Sequence, residues 1–152
     1  NSTGMDPNPP DPIIDLMHNK RDVADKGGTQ RLCAYYAFLD PGSRVHQAYG
    51  GPCVIERQRH RDELNAQWKP RLEGAGLKCS GLSPDRRLVE FIELDDHPFW
   101  VATQAHPEFK SRPDRPHPLF RDLTAAALAR RAARQPMLRV VDESPSVAPS
   151  VA

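Results

Sequence analysis

At 152 residues, with a net charge of +1 and 27% charged side chains, the chain is long enough for one domain and too evenly charged to coat nucleic acid or an anionic membrane surface. No apolar run approaches membrane-spanning length and no secretory leader is visible, which points to the cytoplasm. Three cysteines without close spacing (Cys33, Cys53, Cys79) read as reduced thiols, neither a disulfide framework nor a metal site.

In chain order, a polar, proline-rich lead-in precedes a strand expected over 12–17, and residues 18–26 read as an exposed, charged loop. Gly27-Gly28 then punctuates the chain before an aromatic-rich strand over 32–39, which the turn Asp40-Pro41-Gly42-Ser43 stops. Ser43 is placed to cap a short helix through Ala48, ended by Gly50-Gly51-Pro52. A brief strand over 53–56 runs into Glu56-Arg57-Gln58-Arg59-His60-Arg61-Asp62-Glu63. That charge run reads most simply as a solvated loop. As a nucleic-acid patch or other anion-binding module built on Arg57, Arg59 and Arg61 it lacks interleaved aromatics and any basic continuation. A third reading is a single guanidinium aimed at a small carboxylate, which its planar fork holds bidentately.

Leu64, Trp68 and Leu72, at four-residue spacing, predict a helix over 64–75 with a core-facing stripe, kinked by Pro70. Strands over 77–82, 87–94 and 99–105 then form a meander, joined by Ser83-Pro84-Asp85 and Asp95-Asp96-His97-Pro98. Pro118 suits the first position of a helix over 118–134, with Leu119, Leu123, Ala126 and Ala127 along one stripe. Residues 135–152, with Pro136, Pro145 and Pro149, are expected to be a disordered tail. The fold class expected is α/β, strands with flanking helices, in one unit over 1–134.

Chemistry concentrates at Phe99-Trp100-Val101-Ala102-Thr103-Gln104-Ala105-His106-Pro107-Glu108-Phe109. The apolar run reads as a buried strand, and Pro107, lacking an N–H, cannot continue its ladder. His106 and Glu108 therefore belong at the rim where the strand ends and a loop opens. A histidine whose far nitrogen is held by a carboxylate is the general-base half of a nucleophilic triad. The plainer reading is a surface histidine and glutamate flanking a loop proline, and the tripeptide alone does not decide between them.

A wider pattern does. Gly27-Gly28-Thr29-x-Arg31-Leu32, Glu56-Arg57-x-Arg59-His60-Arg61, Leu88-Val89-Glu90, His97-Pro98, His106-Pro107-Glu108-Phe109-Lys110-Ser111-Arg112-Pro113 and His117-Pro118-Leu119-Phe120 follow one another in fixed order. Together they resemble the C-terminal end of the CTP synthase family, the rear half of its class I glutamine amidotransferase domain. The resemblance spans roughly residues 1–130.

That resemblance implies a glutaminase that supplies ammonia for the ATP-dependent amination of UTP to CTP. In the family a cysteine attacks the glutamine amide and forms a glutamyl thioester, which water hydrolyses. The base falls on His106, its orienting carboxylate on Glu108, and the group holding the glutamine α-carboxylate on Arg61. The loop before Gly27-Gly28 resembles the family's GTP-responsive lid. The nucleophile's Gly-x-Cys-x-Gly elbow and the amidoligase domain, with its ATP, magnesium and UTP sites, lie upstream of this stretch in the family. None of the three cysteines here has that elbow's glycines, so no nucleophile, metal site or cofactor is assigned to this chain. Glutamine and the missing upstream parts are the implied partners, within a homo-tetramer at full length. Several positions depart from the family: Ala105 stands for an aromatic, Gln30 for a methionine, Cys33 for a glycine and Asp62 for a tyrosine. Asp62 is placed to compete for Arg61. The alternative reading is a non-catalytic relative that acts in assembly or binding.

Overall fold

The computed structural model describes residues 1–16 and 31–134. The expectations for the loop over 18–26, for Gly27-Gly28 and Gln30, and for the tail lie outside those residues. The elements in order are β1 (Ile14–Leu16), β2 (Arg31–Leu39), α1 (Arg44–Tyr49), β3 (Cys53–His60), β4 (Asp62–Leu64), α2 (Lys69–Gly74), β5 (Leu77–Leu82), β6 (Val89–Leu94), β7 (Val101–Thr103) and α3 (Pro118–Arg134). Five strands form one sheet in the order β3-β2-β5-β6-β7, and β1 pairs with β4 in a separate ribbon. The named strands pair antiparallel throughout. Beyond β7 the chain bridges back from Ala105 to Gln58 of β3, so the sheet curls until its two edge strands meet.

Local signals explain several elements. The Ser43 hydroxyl accepts from the His46 N–H at 3.1 Å, and Gly50 ends α1 with φ at +73°. The buried Glu93 carboxylate of β6 completes that cap, accepting from the Arg44 and Val45 N–H groups at 3.1 and 3.2 Å. Two otherwise orphaned donors at a helix N-terminus thereby satisfy a charge with almost no access to water. The main core joins Ala37 and Leu39 of β2, Val45 of α1, Phe91 of β6 and Leu119 of α3. Gly81 lies so close beneath the Phe91 ring that a Cβ there would fall 2.6 Å from it.

Several expectations need correction. The helix over 64–75 divides: Leu64 pairs with Ile14 as the last residue of β4, a short 3-10 turn follows over Ala66–Trp68, and α2 begins only at Lys69. Asn65 causes the division, accepting from the Gln67 N–H at 3.1 Å and donating to the Pro12 carbonyl at 3.1 Å. Pro70 sits in the first turn of α2, where its missing N–H costs nothing, and kinks no helix. The charge run over 56–63 is no loop: β3 continues through His60 and β4 takes up Asp62–Leu64. The strand expected over 99–105 shortens to three half-buried residues, and α3 buries only Leu119, leaving Leu123 and Leu128 in solvent.

Cys33 is strained. Its φ is +115°, a region that glycine tolerates and L-residues avoid. Its side chain is exposed, so removing it loses little packing. Relief of about 1–3 kcal/mol of strain, less about 0.5–1 kcal/mol of unfolded-state entropy, predicts that Cys33→Gly stabilises the chain by about 1 kcal/mol. Urea denaturation of the two proteins measures it. A variant no more stable than the parent would show that the strand absorbs this conformation without strain.

Candidate functional site

The site is built where the sheet closes on itself. Past β7 the Thr103 hydroxyl accepts from the Ala105 N–H at 3.0 Å, and the His106 N–H donates to the Arg57 carbonyl at 2.8 Å. Pro107 then turns the chain into a short 3-10 segment, Pro107–Phe109. That turn folds Glu108 back onto His106, and Nδ1 of the imidazole lies 2.6 Å from Oε1 of the carboxylate. The hydrogen bond from His106 holds the Glu108 carboxyl below its ordinary range. A carboxylate can only accept, so the ring proton sits on Nδ1 and Nε2 keeps its lone pair. The Phe109 ring stacks on the imidazole, centroids 5.2 Å apart, and Arg57 approaches that ring's centroid at 5.9 Å. The arrangement can accept a proton at Nε2 and stabilise the imidazolium that results.

Arg61 stands between β3 and β4, half-buried, its Nε 3.4 Å from Asp62 Oδ2. The Gln104 side chain donates to the Asp62 carbonyl at 2.8 Å, which ties this corner to the strand that leads into His106. The structure thus pairs His106 with Glu108 beside the middle of β3, and places a carboxylate against the Arg61 guanidinium beyond the end of that strand.

Beneath that corner runs a buried polar network that the sequence does not reveal. Arg31 of β2 places Nη2 2.6 Å from Glu90 Oε1 and Nη1 3.4 Å from Glu63 Oε1. His60 lies 2.7 Å from the same Glu63 oxygen, and Gln58 donates to Glu90 Oε2 at 3.0 Å. A second cluster surrounds Glu56, whose Oε1 accepts from Tyr49 at 3.0 Å, His117 at 2.9 Å and Lys110 at 2.8 Å. Burial and the Glu56 charge together push the Tyr49 hydroxyl's pKa well above its ordinary value. The one local signal for either cluster is the alternation Glu56, Gln58, His60 against Arg57, Arg59, Arg61, which is the period of a strand.

The thiols lie elsewhere. Cys53 opens β3 opposite Phe38, and Cys79 packs between Leu64 and Val89, where burial pushes its thiol up to about 11. Cys33 pairs with Gln58 on the far side of β3 from Ala105. Among the described residues no group of three or more His, Cys, Asp or Glu side chains could hold a metal ion, and no helix is long and apolar enough to cross a membrane.

Residues 13–126 match the family model for glutamine amidotransferase class-I. The CTP synthase of Roseiflexus castenholzii is 58% identical over 127 residues, 84% of this chain and 23% of that protein. The CTP synthase of Moorella thermoacetica is 55% identical over 130 residues, 86% of this chain and 24% of that protein. The chain thus spans about a quarter of the length of these relatives. Among solved structures, the Trypanosoma brucei CTPS glutaminase domain with bound acivicin superposes with a TM-score of 0.77 at 30% identity, covering 85% of this chain and 50% of that one.

Proposed function

The chain belongs to the glutamine amidotransferase class-I family, and from that premise we propose that it is the rear half of the glutaminase of a CTP synthase. Joined to a segment that bears the nucleophile, it hydrolyses glutamine and supplies ammonia for the ATP-dependent amination of UTP. His106 Nε2 takes the proton of the cysteine thiol as sulfur attacks the amide carbon. The same proton passes to the departing nitrogen, which leaves as ammonia. Water then attacks the thioester, giving up a proton to Nε2; that proton returns to sulfur as glutamate forms. Glu108 holds the imidazole in the tautomer this needs, and Arg61 binds the α-carboxylate of glutamine. The observation that carries the reading is the 2.6 Å contact between His106 Nδ1 and Glu108, which leaves Nε2 free to take a proton.

ATP, magnesium and UTP belong to the upstream amidoligase part, and GTP acts as activator through the segment before Gly27-Gly28. The whole protein works as a cytoplasmic homo-tetramer. One observation favours the alternative, a non-catalytic relative acting in assembly: Asp62 sits 3.4 Å from the guanidinium that should bind substrate.

The test joins the chain to its cysteine-bearing upstream parts. Arg61→Ala removes a charge-assisted contact of about 1.5–3 kcal/mol, so the KM for glutamine should rise about 10- to 150-fold. CTP formation from free ammonia should stay unchanged. Asp62→Asn should lower that KM by freeing Arg61. An unchanged KM in Arg61→Ala would remove Arg61 from the site, and no glutamine hydrolysis by the parental joined protein would favour the non-catalytic alternative.

A further inference from the structure

We propose that the buried Glu56 carboxylate is a clasp that positions the His106–Glu108 pair, acting through Lys110 and His117; this rests on the reading of His106 as the general base. The segment that carries the pair has little regular structure, only the turn Pro107–Phe109. It is pinned to three consecutive residues of β3. The His106 N–H donates to the Arg57 carbonyl at 2.8 Å, and Lys110 Nζ reaches both the Ile55 carbonyl at 2.5 Å and Glu56 Oε1 at 2.8 Å. The two anchors bracket Glu108, so its carboxylate can swing only as far as they permit.

The far end of the segment closes on the same oxygen. His117 Nδ1 accepts from the Leu119 N–H at 3.3 Å, which fixes the proton on Nε2, and Nε2 donates to Glu56 Oε1 at 2.9 Å. Tyr49 of α1 adds a third donor at 3.0 Å. Burial alone would push the Glu56 carboxyl up, but hydrogen bonds from His117 and Lys110 outweigh it and hold the group below its ordinary value. Glu56 is therefore ionised, 1% exposed, and has donors on one oxygen only. His117 and Tyr49 lie inside the fold and set where the carboxylate stands. Lys110 is half in solvent and passes that position to the turn. All three are positioning residues.

Because Lys110 reaches the clasp from the surface, it can be altered without opening the core. The experiment is nitrogen-15 NMR of the His106 imidazole in the 152-residue chain and in Lys110→Met, Lys110→Gln and Lys110→Arg. The parent should show the Nδ1–H tautomer. The Met and Gln variants, still folded by their amide proton spectra, should lose about half or more of it, and Arg should restore it. In the chain joined to its cysteine-bearing segment, Lys110→Met should lower kcat about tenfold and leave KM for glutamine unchanged. Imidazole spectra of the Met and Gln variants that coincide with the parent's would overturn the clasp, as would a loss that Arg does not repair. His106→Ala that leaves ammonia release intact would instead overturn the general-base reading, while the imidazole spectra still decide the clasp.

Discussion

Purified as residues 1–152 and supplied with glutamine, the chain is expected to release no ammonia above the uncatalysed background. A base and its orienting carboxylate lower a barrier by activating a nucleophile, and none is in contact with His106 among the described residues. Cys79 is buried with its thiol pushed up to about 11, so it is protonated at neutral pH and out of reach. Cys33 and Cys53 are exposed, Cys33 on β2 across β3 from Ala105 and Cys53 at the first residue of β3. Losing the nucleophile of a triad costs on the order of a million-fold in kcat in the best-studied serine case, and the deficit here should be of that class. Ammonia release is measured for the chain alone, then with the cysteine-bearing segment restored in wild-type and Cys→Ala forms. Release by the chain alone that disappears in His106→Ala would refute the prediction and place a nucleophile among the residues present.

The parts of this molecule that were legible in the sequence are those fixed by neighbours in the chain. Ser43 and Gly50 delimit α1 because a cap and a left-handed stop act within one turn. Pro107 forces the turn that brings Glu108 to His106, and Pro118 opens α3 where its missing N–H is harmless. What was not legible depends on residues distant in sequence. Glu56, Gln58 and Glu63 look like a solvated run because their composition is polar, yet all three are buried. Their partners are Arg31, Glu90 and His117, which no local pattern could have supplied. The four-residue spacing of Leu64, Trp68 and Leu72 misled for the opposite reason. Leu64 and Leu72 do pack together, but Leu64 answers to a strand partner, Ile14, and not to a helical turn.

The second large effect concerns the buried network beneath Arg61. Arg31→Met removes the one guanidinium that faces both Glu90 and Glu63, all three residues being at most 6% exposed. Breaking a buried ion pair by deleting one partner costs about 3–5 kcal/mol, chiefly because the remaining charge is stranded. Burial already lifts the Glu90 carboxyl above its ordinary value, with Arg31 opposing the rise, so without Arg31 it climbs further. A raised carboxyl contributes stability that is fully present below its unfolded value, about pH 4.3, and lost as pH rises through the folded one. The deficit of Arg31→Met against the parent should therefore be largest near pH 7 and shrink on acidification toward pH 5. Glu90→Gln in the same chain removes the stranded charge, and its amide can donate to Gln58 Oε1, which now has no partner. The double variant should recover more than half of the loss, since uncharged replacements of buried pairs are often near neutral. Urea denaturation of parent, single and double variants across that pH range measures each step. A deficit under about 1 kcal/mol, or one that does not change with pH, would mean that water reaches this network and that it does not hold the Arg61 corner in place.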